Sequence, residues 1–130
     1  MADELDWPIE AMPDADSVFM RAHRVHFSNG ELHPGVFKEH GGGMSVNWEK
    51  YASALETKQQ ATKNPEDNAV ISLPVIAVRQ IRDLNVEHTP TPANRAHSDV
   101  CGFPTNRELL TQARVKLLRI SQVVIPLTHR

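Results

Sequence analysis

The chain has 130 residues, which fits one domain, and 40% apolar residues with 23% charged residues is typical of a folded rather than a disordered protein. The net charge of −2 and the 5% aromatic content exclude the basic, aromatic-rich surface of a nucleic-acid binder, so nucleic acid is considered only as a substrate. One cysteine excludes an internal disulfide, and no run approaches the ~20 apolar residues of a membrane span, so we expect a cytoplasmic protein without a membrane contact.

Residues 1–16 differ in composition from the rest of the chain. They carry six acidic side chains and no Lys or Arg, and they contain Pro8 and Pro13 without a sustained apolar period. This pattern predicts a loosely ordered N-terminal arm that packs through Trp7 and Ile9, followed by a single domain over residues 17–130. The acidic arm is the candidate contact for a protein partner.

The first part of the domain has strand character. Alternating apolar and polar residues predict a strand from Ser17 to Phe27, and the turn residues Ser28, Asn29 and Gly30 end it before a short segment over 31–36. Three glycines at 41–43 then lead into a strand over 44–48. One face of the first strand is expected to carry Phe19, Arg21, His23, Val25 and Phe27.

The middle of the chain predicts helices around a buried strand. Ser53 and Glu56 have the spacing of a capping box, which predicts a helix from Leu55 to Lys63. Residues 69–73 form an apolar run of buried-strand type, and Pro74 suits the first turn of the next helix. The apolar positions of that helix are expected at Val75, Val78 and Ile81, with Arg82 on the same turn.

Two short strands, over 85–88 and 97–101, flank a Pro-rich connection. The residues 105–108 match a second capping box, and the last strand over 122–127 is expected at an edge because of Pro126. The buried side of the intervening helix is predicted to carry Leu109, Leu110, Ala113, Leu117 and Ile120. We therefore predict a small α+β domain with a curved, mainly antiparallel sheet and two or three helices.

The chain contains seven histidines, and six of them lie within 75 residues of one another and outside the predicted helices. Histidine serves near neutral pH as an acid, a base or a ligand. None of the six shows the helical i, i+4 spacing or the cysteine partner of a common metal site, so no metal is expected. Cys101 is expected to be an inert thiol in an apolar strand.

The segment from Thr89 to Asp99 is predicted to bring His88 and His97 close together across a stiff loop. Asp99 falls on the strand face of His97 and is expected to fix its tautomer. Two such histidines beside Arg95 or Arg24 would suit a metal-free ribonuclease, in which they act as acid and base.

The order of these features resembles ADP-ribosyltransferase-like folds, including the RNA 2′-phosphotransferases and small toxins that consume NAD. The resemblance implies that an Arg or His of the first strand (Arg21, His23 or Arg24) holds the phosphates or ribose of NAD. It also implies that Ser45 supports the nicotinamide-ribose pocket. Orienting the attacking group would then fall to Glu87 or His97.

Three segments, FSNGELHPGVF, MSVNW and EHTPTPANRAHSDVCG, are also similar to those of a group of small bacterial proteins of unknown function. This resemblance covers about residues 18–125 and implies a shared fold without an established activity. Three hypotheses stay open. They are an enzyme that binds or processes NAD or a nucleotide, a non-catalytic interaction module, and a metal-free ribonuclease-like toxin. The catalytic candidates are His97, His88 and Glu87, and the cofactor-binding candidates are Arg21, Arg24, His23, Ser45 and Arg95.

Overall fold

The computed structural model describes residues 6–128 and contains a six-stranded antiparallel sheet and three α-helices. Its elements are β1 (Ser17–His23), β2 (Phe27–Ser28), β3 (Glu31–Leu32), β4 (Met44–Trp48), α1 (Ala54–Gln59), β5 (Asn68–Pro74), α2 (Val75–Arg79), β6 (Asn85–His88), β7 (His97–Cys101), α3 (Arg107–Ile120) and β8 (Gln122–Ile125). The strand order is β6-β7-β4-β1-β5-β8, and β2 pairs with β3 in a separate hairpin. The predicted α+β class with a mainly antiparallel sheet is confirmed.

The strands predicted over 44–48, 85–88 and 97–101 have the same bounds in the structure. The prediction for the first strand was wrong at its end, because β1 stops at His23 and a 3-10 turn covers Arg24–His26. The Nδ1 atom of His23 accepts a hydrogen bond of 3.0 Å from the amide of Val25, which stabilises this turn. The side chains of Arg24 and His26 consequently leave the strand's alternation.

The predicted helices form, but several of their ends differ. The capping box of Ser53 and Glu56 is confirmed, whereas α1 ends at Gln59 rather than at Lys63. The second capping box is wrong, since Asn106 and not Thr105 caps α3 by accepting a 3.0 Å hydrogen bond from the amide of Leu109. Leu109 itself is exposed, so it does not belong to the buried side of α3.

The two faces of the sheet have different compositions. Alternate residues of β1, beginning with Val18 and Met20, face a hydrophobic core that α2 and α3 complete through Val78 and Leu117. The other face carries polar residues of the central strands, and α1 covers part of it through the buried Thr57. Within residues 6–128, none of the helices has the length and apolar character required to span a bilayer.

The described part of the predicted arm lies against the domain. Met12 is buried in the core, and Arg79 donates hydrogen bonds of 2.8 Å to its carbonyl and of 2.7 Å to Asp14 Oδ1. Asp16 accepts a 2.9 Å hydrogen bond from the indole of Trp48. Residues 10–16 are therefore held in place by buried and charged contacts, and residues 1–5 of the predicted arm lie outside the described residues.

Candidate functional site

A pocket opens on the polar face of the sheet, between strands β1, β4 and β7 and helix α1. Arg21 comes from β1, Ser45 and Asn47 come from β4, and His97 comes from β7. Asn47 is paired with His97 in the ladder, and residues two apart on a strand share a face, so the sheet register brings these side chains together. The pocket is lined by Phe19, Met20, Arg21, Ser45, Val46, Asn47, Thr57, Gln60, Asn94 and His97.

The hydrogen bonds of His97 determine which of its ring nitrogens carries the proton. Its Nδ1 lies 2.9 Å from the carbonyl oxygen of Thr89, and a carbonyl only accepts hydrogen bonds. We therefore place the proton of the neutral ring on Nδ1 and a lone pair on Nε2. Nε2 lies 3.2 Å from the hydroxyl oxygen of Ser45, which donates to it.

Asp99 is connected to His97 through the side chain of Thr89. The hydroxyl of Thr89 donates to Asp99 Oδ2 at 2.8 Å, and the same oxygen lies 3.1 Å from His97 Nδ1, where it accepts. Asp99 was expected to fix the tautomer of His97, but it makes no direct hydrogen bond to the ring, and the contact that sets the tautomer is the backbone carbonyl of Thr89. The side chain of Thr89 thus lies between the carboxylate of Asp99 and the imidazole of His97.

Side-chain amides form one wall of the pocket. Asn47 donates to Thr57 Oγ1 at 3.0 Å and to Gln60 Oε1 at 2.8 Å, and it accepts from Asn94 Nδ2 at 2.8 Å. Asn94 in turn accepts from the amide of Ala96 at 3.1 Å, which holds the Pro-rich loop. Sequence reasoning missed Asn47, Thr57 and Gln60. Only Asn47 had a sequence signal, because it lies two residues after Ser45 and so shares its face.

The guanidinium of Arg21 lies in this pocket and contacts the backbone of helix α1. Its Nη1 donates to the carbonyl of Thr57 at 2.9 Å, and among residues 6–128 no Asp or Glu is within ion-pair distance of it. Burial lowers the pKa of Arg21 below its ordinary value, but a guanidinium stays charged at physiological pH. The remaining N–H donors of the guanidinium are available to a ligand.

A groove of about 380 Å³ continues from the pocket and shares Arg21 and Ser45 with it. Burial, followed by the charges of Lys38, His23 and His33, lowers the pKa of His26 in this groove. No Asp or Glu is among the residues that line either the pocket or the groove. The groove is lined by Met20, Arg21, His23, His26, Val36, Lys38, His40, Met44, Ser45 and Asn68.

His88 does not belong to this site, and the prediction that it lies beside His97 was wrong. His88 is 2% exposed on the core side of the sheet, where its ring centroid lies 5.0 Å from that of Trp48. Its Nδ1 accepts a 3.0 Å hydrogen bond from the amide of Glu10, and Nε2 donates to the carbonyl of Arg95 at 2.7 Å. With both nitrogens satisfied, His88 is a structural residue.

Arg24 and Arg95 also lie outside the pocket. Arg24 forms an ion pair of 3.0 Å with Asp67 and donates to the carbonyl of Thr128 at 3.1 Å. The guanidinium carbon of Arg95 lies 4.1 Å from the ring centroid of Tyr51, on the opposite side of the sheet from Ser45. Neither residue lines the pocket or the groove, so the structure does not place either one where the sequence analysis expected a cofactor contact.

Glu87 and Cys101 lie on the polar face but toward the β6 edge. Glu87 is paired with Asp99, and the thiol of Cys101 lies 3.4 Å from Glu87 Oε1. Burial, with the hydrogen bond to Glu87 as the next cause, raises the pKa of Cys101 to about 11. The thiol is therefore protonated at neutral pH, and Glu87 does not line the pocket.

Among the described residues, no group of three or more His, Cys, Asp or Glu side chains is placed to hold a metal ion. Comparisons with protein-family models, with curated proteins and with solved structures found no match to the chain. The chemistry of the site is therefore argued from its own geometry. Of the eight candidate residues, Arg21, Ser45 and His97 meet in the pocket, and His23 lies in the adjoining groove.

Proposed function

We propose that this chain binds a nucleotide through its phosphates, in the pocket of Arg21, Ser45 and His97 and the adjoining groove. The observation behind the proposal is the guanidinium of Arg21, which has no acidic partner among residues 6–128 and lies at the junction of two cavities that no described carboxylate lines. Arg21 is exposed, so its guanidinium is accessible to a ligand, and a phosphate is the ligand that a guanidinium fork fits best. NAD and ADP-ribose are the candidate ligands.

His23 presents an N–H donor to an anionic ligand in the groove. The Nδ1 of His23 accepts from a backbone amide, so its Nε2 carries a proton in both the neutral and the charged ring. Lys38 adds a positive charge, and His26 can add one at lower pH. A volume of about 380 Å³ lies within the range of small-molecule sites.

The resemblance to ADP-ribosyltransferase-like folds is consistent with this proposal in two positions. It implies an Arg of the first strand for the dinucleotide and a Ser of a second strand for the ribose pocket, and Arg21 and Ser45 line the same pocket from adjacent strands. The third role, assigned by the resemblance to Glu87 or His97, is favoured only for His97, because Glu87 lies outside the pocket.

The alternative functions gain no comparable support from the geometry. A ribonuclease with paired histidines needs both rings in one site, and His88 and His97 leave opposite faces of the sheet. A partner contact through the acidic arm would use side chains that already bind the domain, including Glu10, Asp14 and Asp16.

Calorimetric titration with ADP-ribose, NAD, ADP and inorganic pyrophosphate tests the proposal. We expect ADP-ribose or NAD to bind and Arg21→Gln to weaken that binding by about 10-fold or more, because a charged hydrogen bond to phosphate is lost. Arg107→Gln is the matched control, since it removes the same charge from the exposed first turn of α3. If no ligand binds at a concentration of about 1 mM, which would detect even a weak dissociation constant, the proposal is contradicted.

A further inference from the structure

We infer that Ser45 and His97 form a nucleophile–base pair and that the chain hydrolyses an ester through Ser45. The two side chains are 52 positions apart in the chain, yet Ser45 Oγ lies 3.2 Å from His97 Nε2, within the reach of such pairs. Ser45 is exposed at the junction of the pocket and the groove, where a substrate can approach its oxygen.

The orientation of the imidazole suits a general base. Because Nδ1 donates its proton to the carbonyl of Thr89, the lone pair of Nε2 points to the hydroxyl of Ser45. A ring in the other tautomer would present a proton to Ser45 and could not accept one. The third member of this arrangement is a backbone carbonyl, in the place where a serine hydrolase has a carboxylate.

Asp99 contacts this arrangement through the hydroxyl of Thr89. When Nε2 accepts a proton, the ring becomes an imidazolium whose Nδ1–H stays bonded to Thr89, and the hydroxyl of Thr89 is bonded to Asp99. These hydrogen bonds hold the imidazole in place, so Thr89 and Asp99 act as positioning residues.

The reaction follows from these contacts. Ser45 Oγ attacks the carbonyl carbon of the ester while its proton moves to His97 Nε2, and the oxyanion forms in the pocket that also contains the cationic Arg21. The C–O bond of the ester then breaks, and the departing alcohol takes the proton from Nε2. Water attacks the acyl-serine, its proton passes through Nε2 to Ser45 Oγ, and the carboxylic acid leaves. The net change is ester plus water to acid plus alcohol.

The substrate class rests on the proposed function, whereas the Ser45–His97 pair does not. If the groove holds the phosphates of a nucleotide, the ester that reaches Ser45 is an acyl group on a ribose hydroxyl of that nucleotide. The pocket wall is neutral there, because Asn94 and Gln60 line it and Asn47 holds both of them, and a neutral wall suits such an uncharged, polar part of the ligand.

Covalent labelling with a fluorophosphonate probe on the full chain tests the pair. We expect intact mass to show a single adduct, which maps to Ser45 and is absent in Ser45→Ala. In His97→Ala the adduct should form at least about 100-fold more slowly, as loss of a general base predicts. Ser28→Ala is the matched control, because it removes another exposed serine and should label like the parent protein. No adduct, or an adduct on another serine, would overturn the inference.

Thr89 gives a second, conservative test. Thr89→Val removes the hydroxyl that contacts His97 and Asp99, and we expect labelling about 10-fold slower, whereas Thr89→Ser should restore it. A melting temperature for each variant separates slow labelling from unfolding. Equal labelling of the Val and Ser variants would contradict the positioning role of the hydroxyl.

The two proposals fail in different ways. Labelling of Ser45 without any binding of ADP-ribose or NAD would leave the nucleophile–base pair standing and reject the nucleotide ligand. Binding of ADP-ribose by the parent and by Ser45→Ala, without labelling of the parent, would reject the pair and keep the nucleotide site.

Discussion

His88 and His97 lie at the ends of the paired strands β6 and β7, but their side chains lie on opposite faces of the sheet. The amide of Thr89, the residue after His88, donates a 3.0 Å hydrogen bond to the carbonyl of His97. His88 is paired with Ser98 in the ladder, so it shares the buried face of Ser98 rather than the open face of His97. The two histidines therefore have different roles, and substitution should separate them.

We expect His88→Ala to destabilise the protein by about 2–4 kcal/mol, because it removes a buried ring and leaves the polar groups of Glu10 and Arg95 without their partner. Urea unfolding gives the change. Ligand affinity per folded molecule should stay the same, since His88 does not line the pocket. His33→Ala, at an exposed histidine, is the control and should change stability by less than about 1 kcal/mol. A His88→Ala protein as stable as the parent would contradict the structural role.

Gly102 is expected to tolerate no side chain. It has φ +91°, and a Cβ there would lie 1.8 Å from the carbonyl oxygen of Asp83, which is backbone and cannot rotate away. We expect Gly102→Ala to cost about 3 kcal/mol or more in unfolding free energy. Gly42→Ala is the matched control, because Gly42 has φ +96° but nothing near its Cβ position, and it should cost only about 1–2 kcal/mol. Equal losses for the two variants would show that the contact with Asp83 has no effect.

Nucleotide binding should strengthen as the pH falls through the histidine range. Burial and the nearby Lys38, His23 and His33 lower the pKa of His26, so its ring is neutral in the free protein at pH values where an ordinary histidine is charged. A bound anion favours the charged ring and so raises that pKa, and binding takes up a proton between the two values. The affinity for ADP-ribose, measured from about pH 8 to about pH 5.5, should therefore rise.

His26→Gln is the control for this pH dependence and should reduce the proton uptake that calorimetry in different buffers measures. The same uptake in His26→Gln would assign the effect to another group of the groove. The lowered pKa of His26 also affects stability. The unfolded chain binds the proton first as the pH falls, so the free energy of unfolding decreases as the pH drops through the ordinary histidine pKa toward the folded value.

Glu10 should make the attachment of the N-terminal segment sensitive to acid. Hydrogen bonds from Lys50 and Tyr51 lower the pKa of Glu10, with a smaller contribution from Arg95. A lowered carboxyl pKa stabilises the fold above the unfolded value, and that stability is lost as the pH falls through the folded value. Glu10→Gln should thus lower the melting temperature by a few degrees at neutral pH and by less at about pH 3.

Thermal melts of Glu10→Gln beside Glu39→Gln, at an exposed carboxylate, provide the comparison. The Glu39 variant should melt like the parent protein at both pH values, because surface charges contribute little. A difference between Glu10→Gln and the parent that persisted undiminished in acid would argue against the ion pairs as its cause.

Local signals were enough to predict much of the fold. The strand over 44–48 and the Ser53–Glu56 capping box depend on local sequence, so they could be predicted from the chain alone. The alternation of side chains along a strand placed Arg21 and His23 on one face of β1. Where a signal of equal strength competed nearby, as with Thr105 and Asn106 at the start of α3, the prediction missed the residue that caps the helix.

The site itself depended on long-range packing. The proximity of Ser45 to His97 requires β4 and β7 to pair in one register, and burial of the apolar faces selects that register, because a slip of one residue would expose the core. The same constraint sends His88 into the core, although a proline-rich loop between two histidines suggested a shared site. Each residue's propensity and polarity are local properties, whereas the face that a strand presents to solvent depends on what the rest of the chain packs against it.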